Sequence, residues 1–185
     1  MDNFAEQLVK KYSSTDEIIK KTLLIIAGVI VSILFVFLGL TFSAFILVLI
    51  PVAIYGVYWL VSYLHIEYEY TITNGELDID KIVAKKKRTA LLNADVKTFT
   101  NIERVSADTD LNDNGLTRFH CSDGTLNHLY FADFEHEEYG KCRLYFSPSL
   151  RILENIVIYL KPEQKAKLTR LIEEEKSALD DNEEE

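Results

Sequence analysis

Apolar and polar positions divide this chain into stretches of different character. From Thr22 to Leu64, 43 residues pass without an Asp, Glu, Lys, Arg or His. At ~1.5 Å per residue one helix of that length would reach roughly 64 Å, about twice the ~30 Å hydrocarbon core of a bilayer. The run therefore predicts two membrane-spanning helices, about Thr22–Leu38 and Phe42–Leu64. The break belongs in "LGLTFS", Leu38 to Ser43, where Gly39 is a weak helix former and Thr41 and Ser43 offer capping side chains. Pro51 falls inside the second span, where a neighbouring helix tolerates its kink. A cleaved signal peptide fits badly: the run starts after 21 residues, lacks a small-residue cleavage site and is followed at once by more apolar sequence.

The pattern then switches to period two. Ile66, Tyr68, Tyr70 and Ile72 alternate with Glu67, Glu69, Thr71 and Thr73, which reads as a half-buried strand. Asn74-Gly75 is a hairpin signal, and Leu77, Ile79 and Ile82 continue the return strand, with Glu76, Asp78 and Asp80 facing out. Further strands are expected at Lys86–Leu92, Thr98–Val105, Leu116–Cys121, Thr125–Phe131 and Lys141–Phe146, with a tight turn at Ser122–Gly124. That makes seven antiparallel strands. Period 3.6 follows: Leu150, Leu153, Ile156, Val157 and Leu160 share one helical face, Ser147 is the expected cap, Pro148 the first helical residue, and Pro162 the stop. Residues 163–185 begin as a helix with Leu168, Leu171 and Ile172 and run into an acidic disordered tail.

At the other end, Phe4, Leu8 and Tyr12 in "NFAEQLVKKY" recur at helical spacing. Two readings stand, an amphipathic helix at the headgroups and a frayed terminus. "STDE", Ser14 to Glu17, matches a capping box ahead of the first span.

Charge orients the hairpin. Lys10, Lys11, Lys20 and Lys21 precede the first span and the connection between spans carries no charge, so residues 1–21 are expected in the cytoplasm. Two crossings return the chain to that side, placing both termini of a multi-pass cell-membrane protein in the cytoplasm. Tyr55, Tyr58, Trp59 and Tyr63 crowd the exit of the second span, as interfacial aromatics do. The net charge of −9 argues against nucleic acid as a partner.

Candidate chemistry is sparse. "DLNDNG", Asp110 to Gly115, resembles the start of a calcium loop, but its twelfth position is Cys121 and its flanks read as strands, so a polar loop is the reading adopted. His120, Cys121, His128, His136 and Cys142 lack zinc-ligand spacing. His65 reads as an interfacial side chain. No catalytic residues, cofactor or metal site are expected, and Cys121 and Cys142 read as reduced thiols on neighbouring strands. Lys85, Lys86, Lys87 and Arg88 form one dense basic run, either a contact for anionic headgroups or a solvated, charge-protected edge. With no GxxxG motif in the spans, the oligomeric state stays open.

Seven antiparallel strands closed by an amphipathic helix describe the pleckstrin-homology (PH) architecture. The segment "EYEYTITNGELDIDKI", Glu67 to Ile82, the basic stretch Lys85–Arg88, and "CRLYFSPS", Cys142 to Ser149, leading into the last helix, resemble the bacterial membrane-anchored PH-like proteins of unknown function, chiefly from Firmicutes. The resemblance covers roughly residues 20–165 and implies no catalytic residues. The expected chain is thus an α+β membrane protein: a cytosolic amphipathic segment (1–21), a transmembrane helical hairpin (22–64), a PH-like seven-stranded antiparallel barrel or sheet capped by a helix (65–162), and the tail (163–185). Its expected role is that of a non-enzymatic binding module at the inner leaflet. The bilayer and a membrane or cytosolic protein are its expected partners. The alternatives are headgroup binding through Lys85–Arg88 and service as an accessory subunit of a transporter or membrane enzyme.

Overall fold

A computed structural model describes residues 3–106, 109, 115–126 and 128–183. Its first element corrects the sequence reading. Phe4–Lys10 is a strand, β1, neither an interfacial helix nor a frayed end. A four-residue recurrence is even, so Phe4 and Leu8 share a face in a strand as well as in a helix; both are exposed, while Ala5 and Val9 point into the core.

Ser14 caps the following helix, α1 (Thr15–Thr41), accepting from the Glu17 amide at 3.3 Å. The Glu17 carboxylate does not close a reciprocal box; it takes Lys11 Nζ at 2.7 Å instead. At ~1.5 Å per residue α1 is about 40 Å long. The helix runs through Gly39, which serves close approach and does not break it: a Cβ there would lie 2.5 Å from Leu47 Cδ2. The chain turns at Phe42 and Ser43, forms a short 3-10 helix (Ala44–Val48), and enters α2 (Leu49–Ser62). Ser43 makes no side-chain cap, and the Thr41 hydroxyl donates back to Phe37 O at 2.7 Å. Pro51 falls in the first turn of α2, where its missing N–H costs nothing. Both helical segments, Thr15–Thr41 and Ala44–Ser62, are long and apolar enough to cross a membrane, and they bury little of themselves in the protein.

The rest consists, among the described residues, of two four-stranded sheets rather than a seven-stranded barrel. The first is a meander in the order β1-β2-β3-β4, with β2 at Ile66–Thr73, β3 at Glu76–Val83 and β4 at Lys87–Asp95. The Asn74-Gly75 turn has φ of 52° and 94°, the left-handed pair a two-residue hairpin needs. Gly75 is doubly required, since a Cβ there would meet the Tyr159 ring at 2.8 Å. The second sheet has the order β5-β7-β8-β6, from β5 (Asn101–Arg104), β6 (Thr117–His120), β7 (Tyr130–His136) and β8 (Gly140–Phe146). Here β6 pairs with β8 in parallel, so the expectation of an all-antiparallel sheet fails. The strand expected at Thr125–Phe131 lies later, because Asp123 folds Ser122–Thr125 into a turn through bonds to the Thr125 amide and hydroxyl.

One core fills the space between the sheets. Tyr70, Ile72, Leu77 and Ile79 face Tyr130, Leu144 and Phe146, all fully buried. The Tyr70 hydroxyl donates to Cys121 O at 2.6 Å and accepts from the Ser147 amide at 3.2 Å, tying the sheets together. Helix α3 (Leu150–Tyr159) buries Ile152, Leu153 and Ile156 in the core. Its cap position is Ser149, and Ser147 is buried beside Asp123. Pro162 opens a further helix, α4 (Pro162–Glu183), which adds Leu168 and Ile172 to the core and carries helical structure well into the acidic tail.

Candidate functional site: a collar where hairpin meets sheet

The apolar hairpin is an insertion between two paired strands. It leaves from β1 and returns into β2, and those strands pair along their whole length, from Phe4 opposite Thr73 to Lys10 opposite Glu67. The Lys11 amide extends the ladder to Ile66 O at 3.1 Å. The domain is therefore attached to the hairpin at two adjacent points.

This pairing brings the charged and aromatic residues of the junction to one level. Val83 lies opposite Ile66 in the β2–β3 ladder, and the Ala84 amide donates to His65 O at 2.9 Å. The Ala84-Lys85 turn, with φ of 55° and 56°, thus sits where α2 exits. Two left-handed residues in succession without glycine are uncommon. They hold Lys85 beside the junction, and Lys10 and Lys11 reach it from β1. The basic run divides. Arg88 is held by Glu69 at 2.7 Å and reaches Asp80 at 3.8 Å, whereas Lys85, Lys86 and Lys87 are exposed and make no ion pair among the described residues. Tyr55, Tyr58, Trp59 and Tyr63 are all exposed on α2 or at its end, with Trp59 and Tyr63 edge to face at 4.6 Å between centroids.

Glu67 and Glu69, which alternation places in solvent, are buried. Strand β2 is interior to its sheet, and long neighbours cover its outward face. Burial raises the Glu69 carboxyl above its ordinary range, and Arg88 opposes that shift.

A cleft of about 880 Å³ opens at the junction. Its rim carries Lys10, Lys11, His65, Glu67 and Lys85, and its floor is Ile25, Ile54, Val57 and Val61 from the two helices. A second, almost wholly apolar groove of about 380 Å³ continues between α1 and α2 and shares Ile25, Ile54 and Val57 with it. The helices approach closely there, since a Cβ on Gly28 would lie 2.5 Å from Val57 Cγ2. The Ser32 hydroxyl donates to Gly28 O at 2.8 Å, so the groove presents no unsatisfied polar atom at that point.

A different concavity, also about 880 Å³, lies beside β1, between Leu8 and the start of α3. Gln7 spans it, donating to Ser147 O at 3.1 Å and accepting from the Ser149 amide at 2.6 Å. Leu8 and Tyr12 line it and Phe4 stands outside, each at least half exposed.

The remaining polar groups are structural in geometry. Arg143 grips Asp133 with Nε at 2.6 Å and its second nitrogen at 2.8 Å, and lies 4.6 Å over the Phe131 ring. Tyr130 donates to Glu175 at 2.9 Å, and His128 pairs with the same carboxylate. Burial pushes the Cys121 thiol up to about 12, far from a reactive thiolate. His120 stacks on Tyr145 rather than facing Cys142. The calcium-like segment Asp110–Asn114 lies outside the described residues.

Residues 1–165 match the model of a family described as "Bacterial PH-like domain (DUF6106)". No curated protein and no solved structure matches the chain.

Proposed function

The chain belongs to the bacterial PH-like domain family, and we propose that it is a non-enzymatic integral membrane protein that presents this domain to a protein partner at the cytoplasmic face of the cell membrane. The observation that carries the proposal is the pairing of β1 with β2 on either side of the apolar hairpin. A domain tethered by one flexible linker samples many orientations. Here two strands of one ladder enter and leave the hairpin, so the domain is stapled at adjacent points and holds one face towards the lipid. The opposite consequence is a fixed outer surface. On it stand Phe4 and Leu8, large apolar side chains on the outward face of an edge strand. Edge strands ordinarily carry charges there to discourage association; on β1 Glu6 and Lys10 alternate with these two apolar side chains. Lysines on the N-terminal side favour both termini in the cytoplasm.

The test is photocrosslinking in intact cells with a photoreactive residue at Leu8, next to a control at exposed Glu76 on β3. A discrete adduct at position 8 that Phe4→Glu abolishes supports the reading. Equal diffuse labelling at both positions overturns it, and so does digestion of the sheets by protease added outside whole cells.

A second reading has one observation behind it. Lys85 and Lys86 lie in the turn level with the α2 exit and Lys87 opens β4 beside it, where each lysine near an anionic surface contributes about 1 kcal/mol. In that reading the lysines help seat the domain on the leaflet.

A further inference from the structure

The cleft at the collar and the groove between the helices lie next to each other and share Ile25, Ile54 and Val57 as lining residues. We infer that together they form a binding site for one anionic phospholipid, with its headgroup at Lys10, His65 and Lys85 and one acyl chain laid along α1 in the groove, over the closed Gly28–Val57 contact. This rests on the reading that the hairpin lies in the bilayer.

Three features of the cleft select this occupant. The first is its polarity gradient. The rim carries lysines and an imidazole, and from Ile25 inward the lining turns apolar. Few ligands besides a phospholipid carry an anion and a hydrocarbon chain in that order, and the gradient runs in the direction the bilayer imposes. The second is length. The groove follows α1 from Ile25 to Val36, roughly 17 Å at ~1.5 Å per residue, which is about half of a ~30 Å hydrocarbon core and so the depth one leaflet's chains reach. The third is charge. Lys10 and Lys85 come from different hairpins of the sheet and converge on one rim, and neither makes an ion pair among the described residues. Lys11 is offset by Glu17, and Glu67 is the one carboxylate lining the rim. The balance at the mouth stays positive, so a zwitterionic headgroup is the weaker fit. This site differs from a general attraction of the basic run, because Lys86 and Lys87 do not line the cleft.

The experiment uses the full chain in mild detergent, equilibrated with equal amounts of phosphatidylglycerol and phosphatidylcholine and read by native mass spectrometry. One phosphatidylglycerol per chain should survive, at least tenfold over phosphatidylcholine. The double variant Lys10→Gln/Lys85→Gln should reduce that preference to less than twofold, while Lys86→Gln/Lys87→Gln leaves it unchanged. Ile54→Trp, which fills the floor, should remove the retained lipid. If Ile54→Trp does not yield a monodisperse protein, the two lysine pairs decide the matter. Equal retention of both lipids by the unaltered chain overturns the site. Equal losses from the two lysine pairs, or a lipid-free dimer whose second copy occupies the groove, also overturn it. Failure of the membrane reading looks different: alkaline carbonate would then release the protein from membranes, whereas a protein lacking only this site stays integral.

Discussion

The hairpin and the double sheet are built from the same apolar residue types and treat them in opposite ways. In the sheets and the helix that closes them, Tyr70, Ile72, Leu77 and Leu153 are fully buried against protein. In the hairpin, Ile30, Ile33, Leu34 and Phe37 are each at least half exposed, while Gly28 and Gly39 mark close approaches along an internal seam. Hydrophobicity requires that a side chain leave water; it does not say whether protein or lipid receives it. Both helical segments are long and apolar enough to cross a membrane, and the proposed membrane placement gives their outward side chains the second kind of cover.

The comparison breaks most visibly under one substitution made in both regions. Leu153→Ala should cost about 2–5 kcal/mol by emptying a packed site, while Leu34→Ala on the outward face of α1 should stay near the ~0.5 kcal/mol of ordinary surface changes. Denaturant unfolding of the full chain in detergent measures both, and equal losses would remove the distinction. Next in size is a charge in the hairpin. Ile33→Asp, at a position 64% exposed, should cost roughly 2.5–3.5 kcal/mol of membrane insertion, read as a fall in the carbonate-resistant fraction. In a helix facing water the same change would be nearly silent.

The seam gives a smaller and more local effect. Gly28→Leu drives a side chain into Val57, where even a Cβ would sit at 2.5 Å, whereas Gly56 has nothing within 4 Å of its position. Gly28→Leu should therefore destabilise the hairpin by about 1–3 kcal/mol and Gly56→Leu should be tolerated, as helix-pair crosslinking across the two spans would report. The smallest effect belongs to the sheet surface. Lys167 holds the Glu103 carboxyl below its ordinary range. A lowered carboxyl stabilises the fold above the unfolded-state value, and that contribution disappears as pH falls through the folded-state value. The pair is partly exposed, so less than about 1 kcal/mol is at stake. Lys167→Ala should lower neutral stability by less than about 1 kcal/mol and leave stability below the folded-state value unchanged, which flattens this part of the acid limb of a stability profile.

What was legible along the chain and what was not divides by the range of the interactions. The β2–β3 hairpin was legible because alternation from Ile66 to Thr73 and the Asn74-Gly75 turn are local and agree with each other. The hydrophobic face of α3 was legible for the same reason. Its cap was misplaced by two residues because Ser147, Pro148 and Ser149 all satisfy local rules, and it is long-range contacts with Asp123, the Tyr70 hydroxyl and Gln7 that draw Ser147 into the core. Strand β1 was missed because Phe4, Leu8 and Tyr12 fit both periods. The discriminating signal was the inward set Ala5, Gln7 and Val9, too weak in hydrophobicity to announce a strand. The burial of Glu67 and Glu69 was invisible, since alternation says which face a side chain takes and not what covers that face. Of the candidate site, the basic run and the aromatics were readable as residues. That Lys10 and Lys85 share a rim, and that Arg88 is taken up by Glu69, were not.

The order of residues alone settled that 43 uncharged positions must fold back on themselves, that strands follow immediately, and that a helix with one apolar face closes them, because each follows from periodicity or length within a few turns of chain. The long-range fold settled that β1 reaches past the entire hairpin to pair with β2, that the strands divide into two sheets with one parallel pair, and that a cleft forms at the junction. Those outcomes depend on which distant partner satisfies each backbone edge and each apolar face, and no local pattern encodes that choice.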